Sequence, residues 1–578
     1  MKSARILRLV GCLSLSLRAA VPAAALVASA ALLSACADEA DARTWVKRLD
    51  DPKTRPEAVK RLTKFFDDAM AKANKNREDP QIKELLDEIV TPFSTQYLSG
   101  TADDATRADL ARVLAESHDA RSFPALAKVL SQTDVKKGEA DMKAAATAVG
   151  DMAKAGKTDP KLDEAVWAAF SVVRSSQTRE LAKAARDAVL AVKSPSYGPK
   201  CVAKLAVPVD DKKGGDDSHD QLTYWQPTCL ELVKELKFAP AARAVVGVLL
   251  SPAKKPLGSL AQSILLTMPV EAEPPLAAAL TGTDAELAQL ESTWDAKGYV
   301  AVSADALGWL GRPLGARAAM AALSVADNDA NRAKIAETLP RYPASQALVG
   351  SFTAVYGKIS GAQAAPPPAK PAQGATTAPP SVEPSSPHLP LLVVAPYFFD
   401  TSLTDWLLKS LASAEGREKQ ATALVSLVSA IELMAPKQVP AVTAAVAQYG
   451  TSRETAMLKA ATEVTKKCGT DADCYTKVLD EPIAPGPQGD TAAVKAAIMA
   501  GVYGTVATRA ELVKRVDHVK DGGVRLALAE AILHLAPAGD PAAADALDRA
   551  VAREHAAATP DGAIVEKVAK MLRGRALP

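Results

Sequence analysis

The sequence predicts an all-α fold, an α-solenoid of antiparallel helix pairs interrupted by a proline-rich linker. Three observations predict it. Aromatic residues make up only 4% of the 578-residue chain, alanine is abundant and alternating β-branched runs are scarce, which suits small-residue helices in close contact and not sheets. Apolar residues recur at helical spacing. In "TRADLARVLAES", Leu110, Val113 and Leu114 form one stripe, and Arg107, Asp109, Arg112 and Glu116 lie largely off it. The stripes are short, and Pro, Gly, Asp or Asn breaks them roughly every 15 to 20 residues.

The N-terminus reads as an export signal, residues 1–35. Lys2, Arg5, Arg8 and Arg18 supply positive charge, and Ala19 to Ala35 carries none. That stretch, broken by Pro22, is short for a membrane span and well suited to a signal core. It ends in Leu33-Ser34-Ala35-Cys36 and then turns acidic at Asp38, Glu39 and Asp41. The four residues resemble the lipobox of bacterial lipoproteins. The resemblance implies cleavage before Cys36 and acylation of its thiol, so that the acyl chains join the chain to a lipid bilayer. Two or three acyl chains anchor stably where one does not, at about 0.8 kcal/mol per buried methylene. Ala37 stands where that family often carries an aspartate for inner-membrane retention, so the resemblance implies an outer-membrane protein facing the periplasm or the cell surface.

Removing the four basic residues of the signal takes the charge balance from 69 basic against 67 acidic residues to 65 against 67. A nearly neutral, mixed surface argues against a nucleic-acid partner, which needs a concentrated basic face. Of the six cysteines, Cys12 leaves with the signal and Cys36 is the lipidation candidate. Cys201, Cys229, Cys468 and Cys474 remain, an even set for which disulfides are the default in an exported chain. Three connectivities are open. The one that keeps neighbours together pairs Cys468 with Cys474 and Cys201 with Cys229.

Helix pairs recur with similar turns. "LAESHDARSFPAL" (114–126) and "LAPAGDPAAADAL" (535–547) align Leu114 with Leu535, Asp119 with Asp540 and Leu126 with Leu547. "LGRPLGARAAMAAL" (310–323) repeats the form with Gly315 replacing the aspartate. One helix ends, an aspartate caps a tight turn, and a second helix folds back. "WVKRLDDPKTRPEAVKRLTKFF" (45–66) carries the pattern most fully. Leu49 closes one helix, Asp51-Pro52 turns, Arg55-Pro56 opens the next, and Ala58 and Leu62 face the core. Further second helices start at 178–192, 417–431 and 524–535. These pairs resemble HEAT repeats, of the armadillo-like class, which implies a stacked solenoid. The landmarks of tetratricopeptide repeats are missing at their period of about 34 residues.

Residues 361–390 hold nine prolines and almost no large apolar side chain, so the segment cannot hold a core. The expected organisation is an N-terminal solenoid over 36–360, a linker over 361–390, and a C-terminal solenoid over 391–578. A loop inside one solenoid is equally compatible with the composition.

No local catalytic motif occurs. Ser251 and Lys254 have a Ser-x-x-Lys spacing without its companion motifs. The histidines are scattered, and none pairs with another at i, i+4, so no metal site is expected. His118 and His534 read as surface histidines near helix ends. Asp210, Asp211, Asp216, Asp217 and Asp220 lack the spacing of a calcium-binding loop. No cofactor is expected. Candidate partner contacts are Tyr397, Phe398 and Phe399, which follow the linker, and Trp294 and Tyr299, which flank an expected turn. The expected function is a membrane-anchored, non-catalytic scaffold that binds protein or peptide partners on a concave repeat surface. The alternative is an enzyme whose site is gathered from distant repeats. Buried carboxylates or histidines clustered in a groove would favour the enzyme, and an apolar, mixed-charge groove the scaffold.

Overall fold

A computed structural model describes residues 39, 41–209, 216–295, 301–326, 329–343, 345–362, 389–411, 417–481, 487–553 and 559–576. Cys36 and Tyr299 lie outside them. The described residues contain helices and turns and no strand. They form two compact units divided between Val192 and Lys193.

The first unit contains α1 (Ala42–Lys47), α2 (Arg55–Lys72), α3 (Pro80–Ser99), α4 (Asp104–Ser117), α5 (Phe123–Leu130), α6 (Val135–Lys154), α7 (Pro160–Val172) and α8 (Arg179–Val192). Each helix packs on the helix two places along, so α1, α3, α5 and α7 make one layer and α2, α4, α6 and α8 the other. This is the stacked-pair architecture of a solenoid. The turns are built from few parts. α2, α4 and α6 each run into a turn with a left-handed residue, at Lys75 (φ 63°), His118 (φ 51°) and Gly156 (φ 78°). The next helical segment is then capped by Asp79, Asp119 or Asp159, whose carboxylate accepts a hydrogen bond from a backbone N–H two residues on. The three aspartates fall at 79, 119 and 159, a regular 40-residue step.

The pair expected at 45–66 is present. Leu49, Ala58 and Leu62 are buried, and Arg55 and Pro56 begin α2. Adjacent repeats are also tied by ion pairs, among them Arg112 to Asp67 through two contacts of 3.0 Å. Such surface pairs are worth little individually. The stacking rests on buried rows such as Leu110, Val113 and Leu114, each fully enclosed.

The second unit continues with α9 (Tyr197–Ala206), α10 (Asp216–Asp220), α11 (Gln226–Glu235), α12 (Ala242–Leu250), α13 (Gly258–Leu265), α14 (Pro269–Leu280), α15 (Ala285–Asp295), α16 (Val302–Leu310), α17 (Pro313–Val325), α18 (Asp329–Thr338) and α19 (Gln346–Ala362). Beyond the proline-rich segment come α20 (Leu389–Val394), α21 (Ser402–Leu411), α22 (Arg417–Leu433), α23 (Val439–Tyr449), α24 (Ser452–Cys468), α25 (Ala472–Val478), α26 (Pro487–Tyr503), α27 (Val506–Val516), α28 (Gly522–His534), α29 (Pro541–Arg553) and α30 (Pro560–Arg575). The even-numbered helices from α12 to α30 stack in unbroken succession, and α30 also packs on α16. The inner layer from α16 onward therefore closes on itself. Gly574 brings α30 against Leu266 as well, where a Cβ would sit 2.7 Å from that side chain.

The expected division at 361–390 is corrected by these contacts. α18 packs on α20 across the segment, and Phe352 of α19 meets the rings of Phe398 and Trp406 at 4.7 and 5.4 Å. The segment interrupts the sequence of one unit and separates nothing. The matched turns at 310–323 and 535–547 are both helix–turn–helix, with Gly311 (φ 61°) and Asp540 at their corners.

Cys468 and Cys474 are joined, with a 2.01 Å S–S bond and Cα atoms 5.3 Å apart. Gly469 exits α24 at φ 59°, and Asp471 accepts from the N–H groups of Asp473 and Cys474 to start α25. The expected Cys201–Cys229 bond is not formed. Both residues are buried free thiols on α9 and α11, in hydrogen-bond contact with each other. Burial, first, and then the neighbouring Cys201 push the Cys229 thiol well above its ordinary range.

Candidate functional site

The candidate partner aromatics are mostly core residues. Phe398 and Phe399 are 2% and 7% exposed and Trp294 is 6% exposed, so a partner has no access to them. Phe399 follows a short helical turn at φ 52° and packs its ring 4.4 Å from the imidazole of His534. Tyr397 is half-buried, and burial pushes its hydroxyl well above the usual tyrosine range. His534 is correspondingly not a surface histidine: burial lowers it to about 4. His118 is half-buried at a repeat turn, and it is lowered by burial and then by Arg77.

An ionic centre holds the closed inner layer of the second unit. Asp305 on α16 lies 3.4 Å from Arg341, 3.4 Å from Lys567 and 3.5 Å from Lys334. Burial works to raise the Asp305 carboxyl, and these three cations outweigh it and hold it below its ordinary value. Arg575 donates to the carbonyls of Gly308 (3.1 Å), Trp309 (3.3 Å) and Arg341 (2.7 Å). The first two belong to the last turn of α16, so Arg575 satisfies helix-end carbonyls that have no partner within the helix. Glu530 nearby is raised by burial against the pull of Arg341 and Arg575. Lys495 donates to the Met434 carbonyl inside the same unit, and burial raises Glu432 to about 7. Sequence reasoning found none of these groups, because no local spacing connects them.

Cavities lie elsewhere. In the first unit, a cavity of 490 Å³ among the repeat turns is lined by Arg77, Lys83, His118, Asp119, Asp151 and Lys157. Arg77 and Lys157 donate to the Glu116 and His118 carbonyls, and Asp119 holds Arg121.

The larger cavity, 630 Å³, lies in the second unit between α9, α12, α15 and the turn Pro252–Leu257. Val202, Leu205, Ala244, Leu287 and Leu290 make its walls apolar. Arg243 at its rim is half-exposed and bound to Asp284 (2.9 Å) and Glu286 (2.6 Å). Lys254, only 5% exposed, lines the interior. The prolines at 252 and 256 constrain the backbone that presents it. Its amine donates to the Leu205 carbonyl at 2.6 Å, in the last turn of α9, where a cation is favoured by the helix dipole. Burial lowers this amine to about 8. Ser251 lines the same cavity, but the side-chain hydrogen bond of Lys254 goes to Leu205 and not to the serine. The arrangement offers an apolar chamber with one buried cation.

No protein-family profile matches the chain, and no curated protein matches it. Among solved structures, a crystal structure of importin beta in an ammonium sulfate condition aligns over 92% of this chain and 79% of that one, at 10% identity and a TM-score of 0.26. At that score the likeness carries no argument, and the solenoid reading stands on the helix stacking described above.

Proposed function

We propose that this chain is a non-catalytic scaffold that binds protein or peptide partners, anchored to a bacterial envelope membrane through acylated Cys36. The observation that carries the reading is the stacking of alternate helices, in both layers of the first unit and from α12 to α30 in the second, an architecture whose long ordered surfaces suit polypeptide ligands. The chamber at Lys254 is apolar with a mixed-charge rim, as a docking site for a polypeptide would be. Asp305, Glu432, Glu530 and His534 do not line the cavities at His118 and Lys254. The anchor rests on the LSAC sequence, and the Cys468–Cys474 bond agrees with an oxidising compartment. No helix among the described residues is long and apolar enough to cross a membrane.

Cross-linking in intact cells, followed by purification from membranes, tests the scaffold. Specific polypeptide adducts are expected, and their absence under several cross-linkers would refute the reading. The anchor is tested separately by mass spectrometry of the mature N-terminus and by Cys36→Ala, which should release the protein from the membrane.

A further inference from the structure

We propose that the chamber between α9, α12 and α15 receives the C-terminal residue of a partner polypeptide, its apolar side chain against Leu205, Leu287 and Leu290 and its carboxylate against Lys254. The inference deepens the scaffold reading and rests on it.

The argument starts from the unbalanced charge of Lys254. The side chain is 5% exposed and makes one side-chain hydrogen bond, to a neutral carbonyl. Among the described residues, no carboxylate forms an ion pair with it. Glu286, which lines the same chamber, is engaged by Arg243. A cation taken from water without a counter-ion is costly unless something supplies the opposite charge. The lowered value of the amine has burial as its sole cause, in agreement with the geometry. At neutral pH the amine still carries its proton, and a ligand carboxylate is the group it lacks.

The walls decide which carboxylate. Apart from Ser251, Thr293 and the charged groups, the lining is aliphatic or proline. A chain passing through would bring several backbone N–H and C=O groups into a chamber with few partners for them. A chain end brings one residue, whose carboxylate and side chain leave the same Cα. The cavity volume is in the range of small-ligand sites. The rim of Arg243 and the exposed Glu286 gives the preceding residues polar groups to meet, which a fatty acid tail would not use.

The test uses the full mature chain and N-terminally labelled peptides ending in leucine or valine, as free acids and as C-terminal amides, read by fluorescence polarisation. Free acids should bind at least tenfold more tightly than amides. Lys254→Met should abolish that difference, and Lys254→Arg should keep part of it, with circular dichroism showing that both variants fold. NMR of isotope-methylated lysines should show the Lys254 titration moving upward when the acid peptide binds. Equal binding of acid and amide would overturn the inference and leave the scaffold reading standing. So would tighter binding of a long-chain fatty acid than of any peptide. A further fall of the Lys254 titration in Asp210→Asn/Asp211→Asn would identify a counter-ion from this chain's own sequence after Val209, and would also overturn it. Failure of every peptide, together with an absence of cross-linked partners, would remove both.

Discussion

Lys567 Nζ lies 3.4 Å from Asp305 Oδ1, an ion pair that spans 262 residues of chain. It joins α30 to α16 and closes the inner layer of the second unit. Asp305 is the shared acid of three cations, so the consequences of removing it and of removing one cation should differ.

Asp305→Ala leaves Lys334, Arg341 and Lys567 without their common counter-charge. The expected loss is about 3 kcal/mol, the scale for breaking a buried pair from one side. Lys567→Met should cost less, near 1 kcal/mol, since Lys334 and Arg341 continue to hold the carboxylate. Chemical denaturation gives the magnitudes. Hydrogen exchange should place the first loosening in 560–575, and an unchanged exchange rate there would contradict the closure.

The acid side of the stability profile should depend on His534. Its ring is held down to about 4 by burial, against an ordinary value near 6.5. Between those values the unfolded chain binds a proton that the folded chain does not, so stability falls as pH drops through that window. Glu432, raised to about 7, acts in the opposite direction, because its folded form keeps a proton that the unfolded form releases between about pH 7 and 4.5. The histidine share is isolated by difference. From pH 7 to pH 5 the wild type should lose about 2 kcal/mol more than His534→Phe. Parallel profiles would show that the imidazole takes up its proton in the fold.

Thiol labelling distinguishes the two cysteine pairs. In native, unreduced protein, Cys468 and Cys474 should be unreactive because they are bonded, and Cys201 and Cys229 because they are buried thiols. Mild reductant should expose the first pair alone, and the second should label only on unfolding. Replacing Cys468 and Cys474 by serine should cost about 2 kcal/mol by loop-entropy reasoning for so short a closure. Labelling of Cys201 in the folded protein would contradict its position in the core.

Limited proteolysis should cut first within 361–390, where the sequence lacks a core. The two fragments should nevertheless elute together on size exclusion. Phe352 and Tyr356 before the segment pack on Phe398 and Trp406 after it, and α18 packs on α20. A separate N-terminal fragment would show that these contacts do not suffice.

The helix pairs were legible because their signals are local. Leu114, Asp119 and Leu126 lie within one turn and its flanks, as do Cys468, Gly469 and Asp471. The 40-residue step of Asp79, Asp119 and Asp159 is equally visible in the sequence. What could not be read was set by distant chain. Burial of His534 depends on Phe399, the chamber charge depends on Lys254 reaching Leu205, and closure depends on Arg575 reaching Gly308 and Trp309. Position near a helix end said nothing of what arrives from elsewhere. The proline-rich segment misled for a related reason. Composition reports that a stretch cannot pack, and does not report whether its two ends meet.

The junction of α16 with α30 also imposes an order in time. Local pairs such as α29 and α30 can form as soon as their own residues are available, whereas this junction joins groups far apart in sequence and is slow to find. Until residues 560–575 are in place, the carbonyls of Gly308 and Trp309 have no guanidinium to receive, and Asp305 has two of its three cations. A nascent chain would complete its early repeats one after another and hold this unit open until its last helix arrives. The final step is therefore a single closure late in folding, and the open intermediate is the species that a chaperone or protease would meet.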